Sequence, residues 1–191
     1  MAGKLIVLAV LAAAAYAQDA KPAIDNDRVT VWDVTNKPRV VHNVDHDVVV
    51  MELTGPHAQT ASFIPKGGSY RTAGTRSLVI DLKDHPVPPL ENKTGYPLAF
   101  PRPHVKKLLE NDRVIVWSYR WNPGEPTPMH FHDKDVVVVY LEDTALTSTT
   151  PDGAKKLNEY KAFDIRFNLR DRVHTELLER GTGSAMMMEL K

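Results

Sequence analysis

The chain has 191 residues, 24 basic and 24 acidic side chains, and no cysteine. The balanced charge gives no electrostatic reason to expect nucleic acid as a partner, and the missing thiols exclude disulfides, Cys-type zinc sites, iron–sulfur clusters and thiolate catalysis. A hydrophobic content of 42% and a charged content of 25% fit one folded domain, or two small ones sharing a core.

The first segment differs in kind. Lys4 precedes the apolar run LIVLAVLAAAA, Leu5 to Ala15, and Ala15-Tyr16-Ala17 puts small residues at the two positions a signal peptidase reads. Eleven apolar residues fall short of the roughly 20 that a transmembrane helix needs. Residues 1–17 are expected to be a signal peptide cleaved near Ala17. The remainder is then an exported protein, periplasmic or secreted, not held at a membrane.

The rest of the chain repeats itself. NDRVTVW (Asn26–Trp32) recurs as NDRVIVW (Asn111–Trp117), identical at six of seven positions. HNVDHDVVVMEL (His42–Leu53) matches HFHDKDVVVVYL (His130–Leu141), and GTRSLVIDLK (Gly74–Lys83) matches GTGSAMMMELK (Gly181–Lys191). Three matches in one order predict two copies of a β-rich unit, residues 25–83 and 111–191. Residues 84–110 between them hold six of the fourteen prolines, from Pro86 to Pro103, and read as an extended surface linker. HVKKLLEN, from His104, carries the one hint of helical periodicity. Elsewhere β-branched and aromatic runs, with turns such as NPGEP and TPDGA, predict an all-β sandwich or barrel.

The second copy carries the candidate chemistry. In a strand, alternate residues share a face. His130 and His132 therefore point the same way as Val136, Val138 and Tyr140, while Asp133, Asp135, Val137 and Val139 point the other way. Two imidazoles above an apolar wall suit a metal, and His174, in DRVHTELLERG, is the candidate third ligand from another strand. Three histidines leave positions open for water or substrate. Glu176 shares the parity of His174 and is a candidate carboxylate; Tyr140 is a candidate substrate-orienting hydroxyl. Trp117, Tyr119 and Trp121 share one face and are expected in the core, as are Met186, Met187 and Met188. Arg166, with Asp164 and Asn168, is expected on a solvated strand face.

Gly124, five residues, then His130-Phe131-His132 resembles the first motif of the cupin family, and His174 stands where the second motif supplies its histidine. The resemblance covers residues 111–191 and reaches 25–83 through the repeat. It implies a cupin-type jelly roll, or double-stranded β-helix barrel, in duplicate. Where the family carries its metal-binding glutamate, this chain has Val136. Asp135 has the wrong parity unless a bulge intervenes, and the second motif's Pro-Gly turn is absent. The resemblance then implies a three-histidine site of the kind that iron-dependent thiol dioxygenases use, with Fe, Mn or Zn as the divalent metal.

The first copy keeps His42 but has Val44 opposite His132 and Gly67 near the place of His174, so it is expected to be structural. Three functions stay open: a metal-dependent enzyme of dioxygenase type, a non-catalytic cupin binding metal or a small ligand, and a structural protein with a vestigial site. The expected partner is a small molecule. A homodimer, paired through an exposed strand of the first half, is a further expectation.

Overall fold

The computed structural model describes residues 21–36, 39–73 and 75–191. The expected signal peptide lies outside them. The described residues form sixteen strands. In the first half these are β1 (Ile24–Asp25), β2 (Val29–Thr35), β3 (Val40–His42), β4 (Asp47–Glu52), β5 (Thr60–Ile64), β6 (Ser69–Arg71) and β7 (Arg76–Leu82). The second half holds β8 (Val105–Glu110), β9 (Val114–Arg120), β10 (His130–His132), β11 (Asp135–Tyr140) and β12 (Thr144–Thr149). It continues with β13 (Lys155–Tyr160), β14 (Ile165–Asn168), β15 (Arg172–Gly181) and β16 (Ser184–Leu190).

The repeat is visible in the topology. The first half's large sheet runs β1-β2-β7-β4-β5, and the second half's runs β8-β9-β16-β11-β14. Element for element this is one order, used twice. The opposing sheet is β3-β6 in the first half and β10-β15-β12-β13 in the second. The second half thus differs by one added hairpin, β12–β13, between the equivalents of β4 and β5. The helical hint at His104 is corrected: Val105–Glu110 is strand β8, paired antiparallel with β9. Tertiary pairing overrides a weak 3.6-residue pattern in a six-residue segment.

The alternation of side chains sorts the core into layers. Trp117, Tyr119, Trp121, Val136, Val138 and Tyr140 pack inside the second half. Their odd-face neighbours Val137 and Val139, with Val114, Val116, Met186 and Met188, face the other half and meet Val29, Val31, Val49, Met51 and Ile80. The continuous valine runs follow from this arrangement, because β4 and β11 are buried on both faces. Met187 joins the barrel interior, while its two neighbours join the seam.

The conserved heptapeptide of the repeat is a clamp. Asn26 Oδ1 accepts from the backbone N–H groups of Arg28 and Val29 at 2.9 and 3.0 Å. Asn111 Oδ1 does the same for Arg113 and Val114 at 2.8 and 2.9 Å. Each asparagine turn presents the following arginine to the opposite half. Arg28 pairs with Asp135 at 2.7 Å, and Arg113 pairs with Asp47 at 2.8 Å. Asp47 and Asp135 are themselves equivalent positions at the starts of β4 and β11, so the two contacts are reciprocal, as about a two-fold axis.

The proline-rich segment lies along the outer edge of β10. Phe131 N–H donates to Pro97 O and Phe131 O accepts from Ala99 N–H, both at 2.8 Å, while Leu90 N–H donates to Asp133 O at 2.9 Å. The segment covers an edge that would otherwise present unpaired backbone groups. It ends by carrying Phe100 and Arg102 against the barrel, Phe100 stacking on Trp117 with centroids 5.4 Å apart.

Candidate metal centre

Strands β10 and β15 pair antiparallel, with His130 directly opposite His174 and His132 opposite Arg172. Residues i and i+2 share a face, so His130 lies across from His174 and His132 stands on the same face, one diagonal step away. His132 Nε2 lies 3.1 Å from the Nε2 of both His130 and His174. All three imidazoles are buried, at 2%, 7% and 9% exposure. They form a three-residue cluster able to hold a metal ion.

The outer ring nitrogens fix two of the rings. His130 Nδ1 is 2.7 Å from Pro128 O; a carbonyl only accepts, so Nδ1 carries the proton and Nε2 keeps its lone pair. His174 Nδ1 lies 3.2 Å from Ser148 Oγ. Such second contacts orient a ligating imidazole. His132 Nδ1 is buried with no hydrogen-bond partner among the described residues. Burial, aided by the Arg102 guanidinium, lowers His130 to about 3. Burial also holds His132 well below its ordinary value, and His174 below its own. The three rings are neutral at physiological pH, the state in which imidazole ligates a metal.

The donor set fits a divalent transition metal. Nitrogens bound to one ion at about 2.0–2.2 Å lie roughly 3 Å from each other, which matches the two 3.1 Å separations. Three imidazoles on one side leave the other side for ligands.

Glu176 and Tyr140 reach the same cavity. Its volume is about 350 Å³, and its walls include Tyr140, Ser148, Tyr160, Arg172, His174 and Glu176. His132, Val136, Val138 and Met187 line a small recess that shares Tyr140, Arg172, His174 and Glu176 with it. Trp121 Nε1 donates to Glu176 Oε2 at 3.1 Å. Burial opposes the charge on Glu176, but the Arg102 guanidinium and the Trp121 N–H favour the carboxylate, and the carboxyl stays below its usual range. Tyr140 stacks on Tyr160 at 3.7 Å; burial, with the Glu176 charge beside it, holds its phenol well above the usual value. Tyr140 is therefore a protonated donor and Glu176 an ionised acceptor.

Asp135 lies elsewhere. Its carboxylate takes Arg28 of the first half and the backbone N–H of Arg170 at 2.8 Å, so it ties the halves and does not complete the histidine cluster. In the first half, His42 is exposed and pairs in register with Ser69. Ser69, not Gly67, is thus the counterpart of His174. Arg166 is exposed, as a solvated strand face requires, but Asn168 on the same face lines the cavity.

Two features escaped sequence reasoning. Arg102, inside the proline-rich segment, places Nη1 3.1 Å from His130 Nε2 and Nη2 3.6 Å from Glu176. Nothing in its local sequence marks it. Hairpin β12–β13 builds one wall of the cavity, and here a signal existed: the spacing between matched segments grows from 88 positions at His42/His130 to 108 at Ser77/Ala185. That growth locates an insertion beside the site.

No family model matches the chain. A curated relative, the β-alanine degradation protein BauB of Pseudomonas aeruginosa, is 42% identical over 60 residues, 31% of this chain and 59% of that protein. The match therefore spans less than two thirds of the relative. Among solved structures, a cupin 2 conserved barrel domain protein from Leptotrichia buccalis has a TM-score of 0.53 at 12% identity, over 88% of this chain and 86% of that one. An IolB-like protein from Salmonella typhimurium LT2 scores 0.58 at 11% identity, over 85% and 82%. AerE from Microcystis aeruginosa scores 0.55 at 11% identity, over 87% and 88%.

Proposed function

The chain has the cupin fold, and from that premise we propose that its second half is a small-molecule site. His130, His132 and His174 hold a divalent transition metal there, Fe, Mn or Zn. The observation that carries this reading is the convergence of three buried, neutral imidazoles beside a cavity, with His132 Nε2 3.1 Å from the Nε2 of both His130 and His174. When bound, such an ion supplies Lewis acidity or, as iron, the means to activate dioxygen. The protein's own residues do the rest. Ser148 and Pro128 aim two of the rings. Val136, Val138 and Met187 keep the floor of the site dry. Tyr140 donates a hydrogen bond to a substrate oxygen, and Glu176, steadied by Trp121, accepts a proton from a substrate O–H or N–H.

The reading favoured among enzymes is an oxidoreductase of dioxygenase type, because a three-imidazole face leaves room for both substrate and oxygen. The second reading, a binding protein without turnover, is favoured by the absence of a ligating carboxylate at Val136. Export, with cleavage near Ala17, is part of the same proposal. Anaerobic calorimetry with Fe(II), Mn(II) and Zn(II) tests the metal. Wild type should bind one of them, and His132→Ala should lose at least about 100-fold in affinity, the upper end of what even indirect metal contacts cost. Equal affinity in the variant would remove the site. Oxygen uptake by the iron-loaded protein with small thiols or diols then separates enzyme from binder.

A further inference from the structure

We propose that the cavity beside the three histidines binds a small organic carboxylate, gripped between Arg102 and Arg172. The inference builds on the site assigned above, but needs no metal for the anion to bind. The chain is neutral overall, yet this site is strongly basic. Lys155, Lys156 and Arg172 line the cavity, with Arg102 in its adjoining recess, and Glu176 is the one acidic residue among those lining either.

Beyond the 3.1 Å contact of Arg102 Nη1 with His130 Nε2, both arginines keep donors without a partner among the described residues. The Arg102 side chain is 5% exposed. Its guanidinium lies over the Tyr119 and Phe100 rings, at 4.1 and 4.9 Å. Its Nε is buried without a hydrogen-bond partner. Its one carboxylate neighbour, Glu176, is 3.6 Å away and already accepts from Trp121. Arg172 spends its Nε on Leu169 O at 2.6 Å and makes no ion pair among the described residues. Burying a guanidinium this way is costly unless an anion completes it, and the planar fork matches a carboxylate.

The rest of the cavity selects the ligand's body. The stacked Tyr140 and Tyr160 rings, and Val136, Val138 and Met187 in the recess, suit a short hydrocarbon stem. A volume of about 350 Å³ restricts it to a small molecule. Arg102 comes from the proline-rich segment and Lys155 and Lys156 from the added hairpin. Neither element belongs to the shared topology of the two halves, so the basic cavity is a property of the second half alone.

Calorimetry on the purified protein, both chelator-treated and Zn(II)-loaded, decides this. The probes are propionate, propionamide and inorganic phosphate. Propionate should bind, and propionamide, of nearly the same shape, should bind about 10-fold or more weakly, as loss of a charge-assisted contact implies. Arg172→Gln and Arg102→Gln should each weaken propionate about 10-fold while Zn(II) stoichiometry is retained, and Arg172→Lys should recover part of the loss. Equal binding of propionamide overturns the proposal. So does propionate affinity unchanged in both glutamine variants, phosphate binding in place of propionate, or no propionate binding to either form. Propionate binding that depends on the arginines, in protein that takes up no metal, would refute the metal reading and leave this one standing.

Discussion

Glu189 shows how a single side chain is set by its layer. It lies on β16, 3% exposed, and accepts from Trp117 Nε1 at 2.8 Å. Burial raises its carboxyl above the ordinary value, with Lys134 and the Trp117 N–H offsetting part of the effect. The unfolded chain then releases this proton at a lower pH than the folded one, so ionising Glu189 costs stability as pH rises through its folded value. Glu189→Gln keeps the acceptor and removes the charge. Its melting temperature should equal or exceed wild type at pH 7, with the gap closing as pH falls below about 4. A variant that loses as much stability at pH 7 as at pH 4 would contradict this. Nearer the histidines, Ser148→Ala should weaken metal binding by about 10-fold, read by calorimetry, because His174 loses the contact that orients it. The histidines themselves were legible because their parity and spacing are properties of a strand. Arg102 and Ser148 were not, since each reaches the site from a segment whose local pattern says nothing about what lies across the barrel.

At the level of elements, the two halves are held by an apolar seam and by reciprocal arginine–aspartate pairs. The pairs differ in burial. Side-chain exposure is 10% and 8% for Arg28 and Asp135, but 28% and 20% for Arg113 and Asp47. Removing one partner of a buried pair costs about 3–5 kcal/mol, and far less when solvent screens it. Asp135→Ala should therefore lose about 3 kcal/mol in urea unfolding, and Asp47→Ala clearly less. Equal losses would mean that the seam, not the charge, dominates at both ends. The repeat of Asn-Asp-Arg-Val was plain in the sequence, but its purpose was not. A duplicated motif could mark a core strand or a binding loop, and the arginine's partner sits 107 positions away. Likewise the proline run read as an extended linker over residues 84–110, while Val105–Glu110 form strand β8 and the middle of the segment covers the edge of β10.

Across the whole molecule, duplication followed by divergence explains what each half does. The shared sheet order supplies a back-to-back pair whose inner faces stabilise one another. The second half then adds a hairpin and receives the linker's Arg102, and these build the cavity around its histidines. Among its described residues the first half offers His42 opposite Ser69 and no equivalent hairpin, so the three-histidine cluster is a feature of the second half. Bound ligand also adds stability, about 2.7 kcal/mol at one hundred times its dissociation constant, so metal loading should raise the melting temperature of wild type and leave His174→Ala unmoved. The most direct measurement is elemental analysis of the protein after loading with Fe(II), Mn(II) or Zn(II) and removal of excess ion. The structure predicts one metal per chain in wild type and none in a variant with His130, His132 and His174 all changed to alanine. Two metals per chain, no metal in wild type, or one metal retained in the triple variant would contradict it.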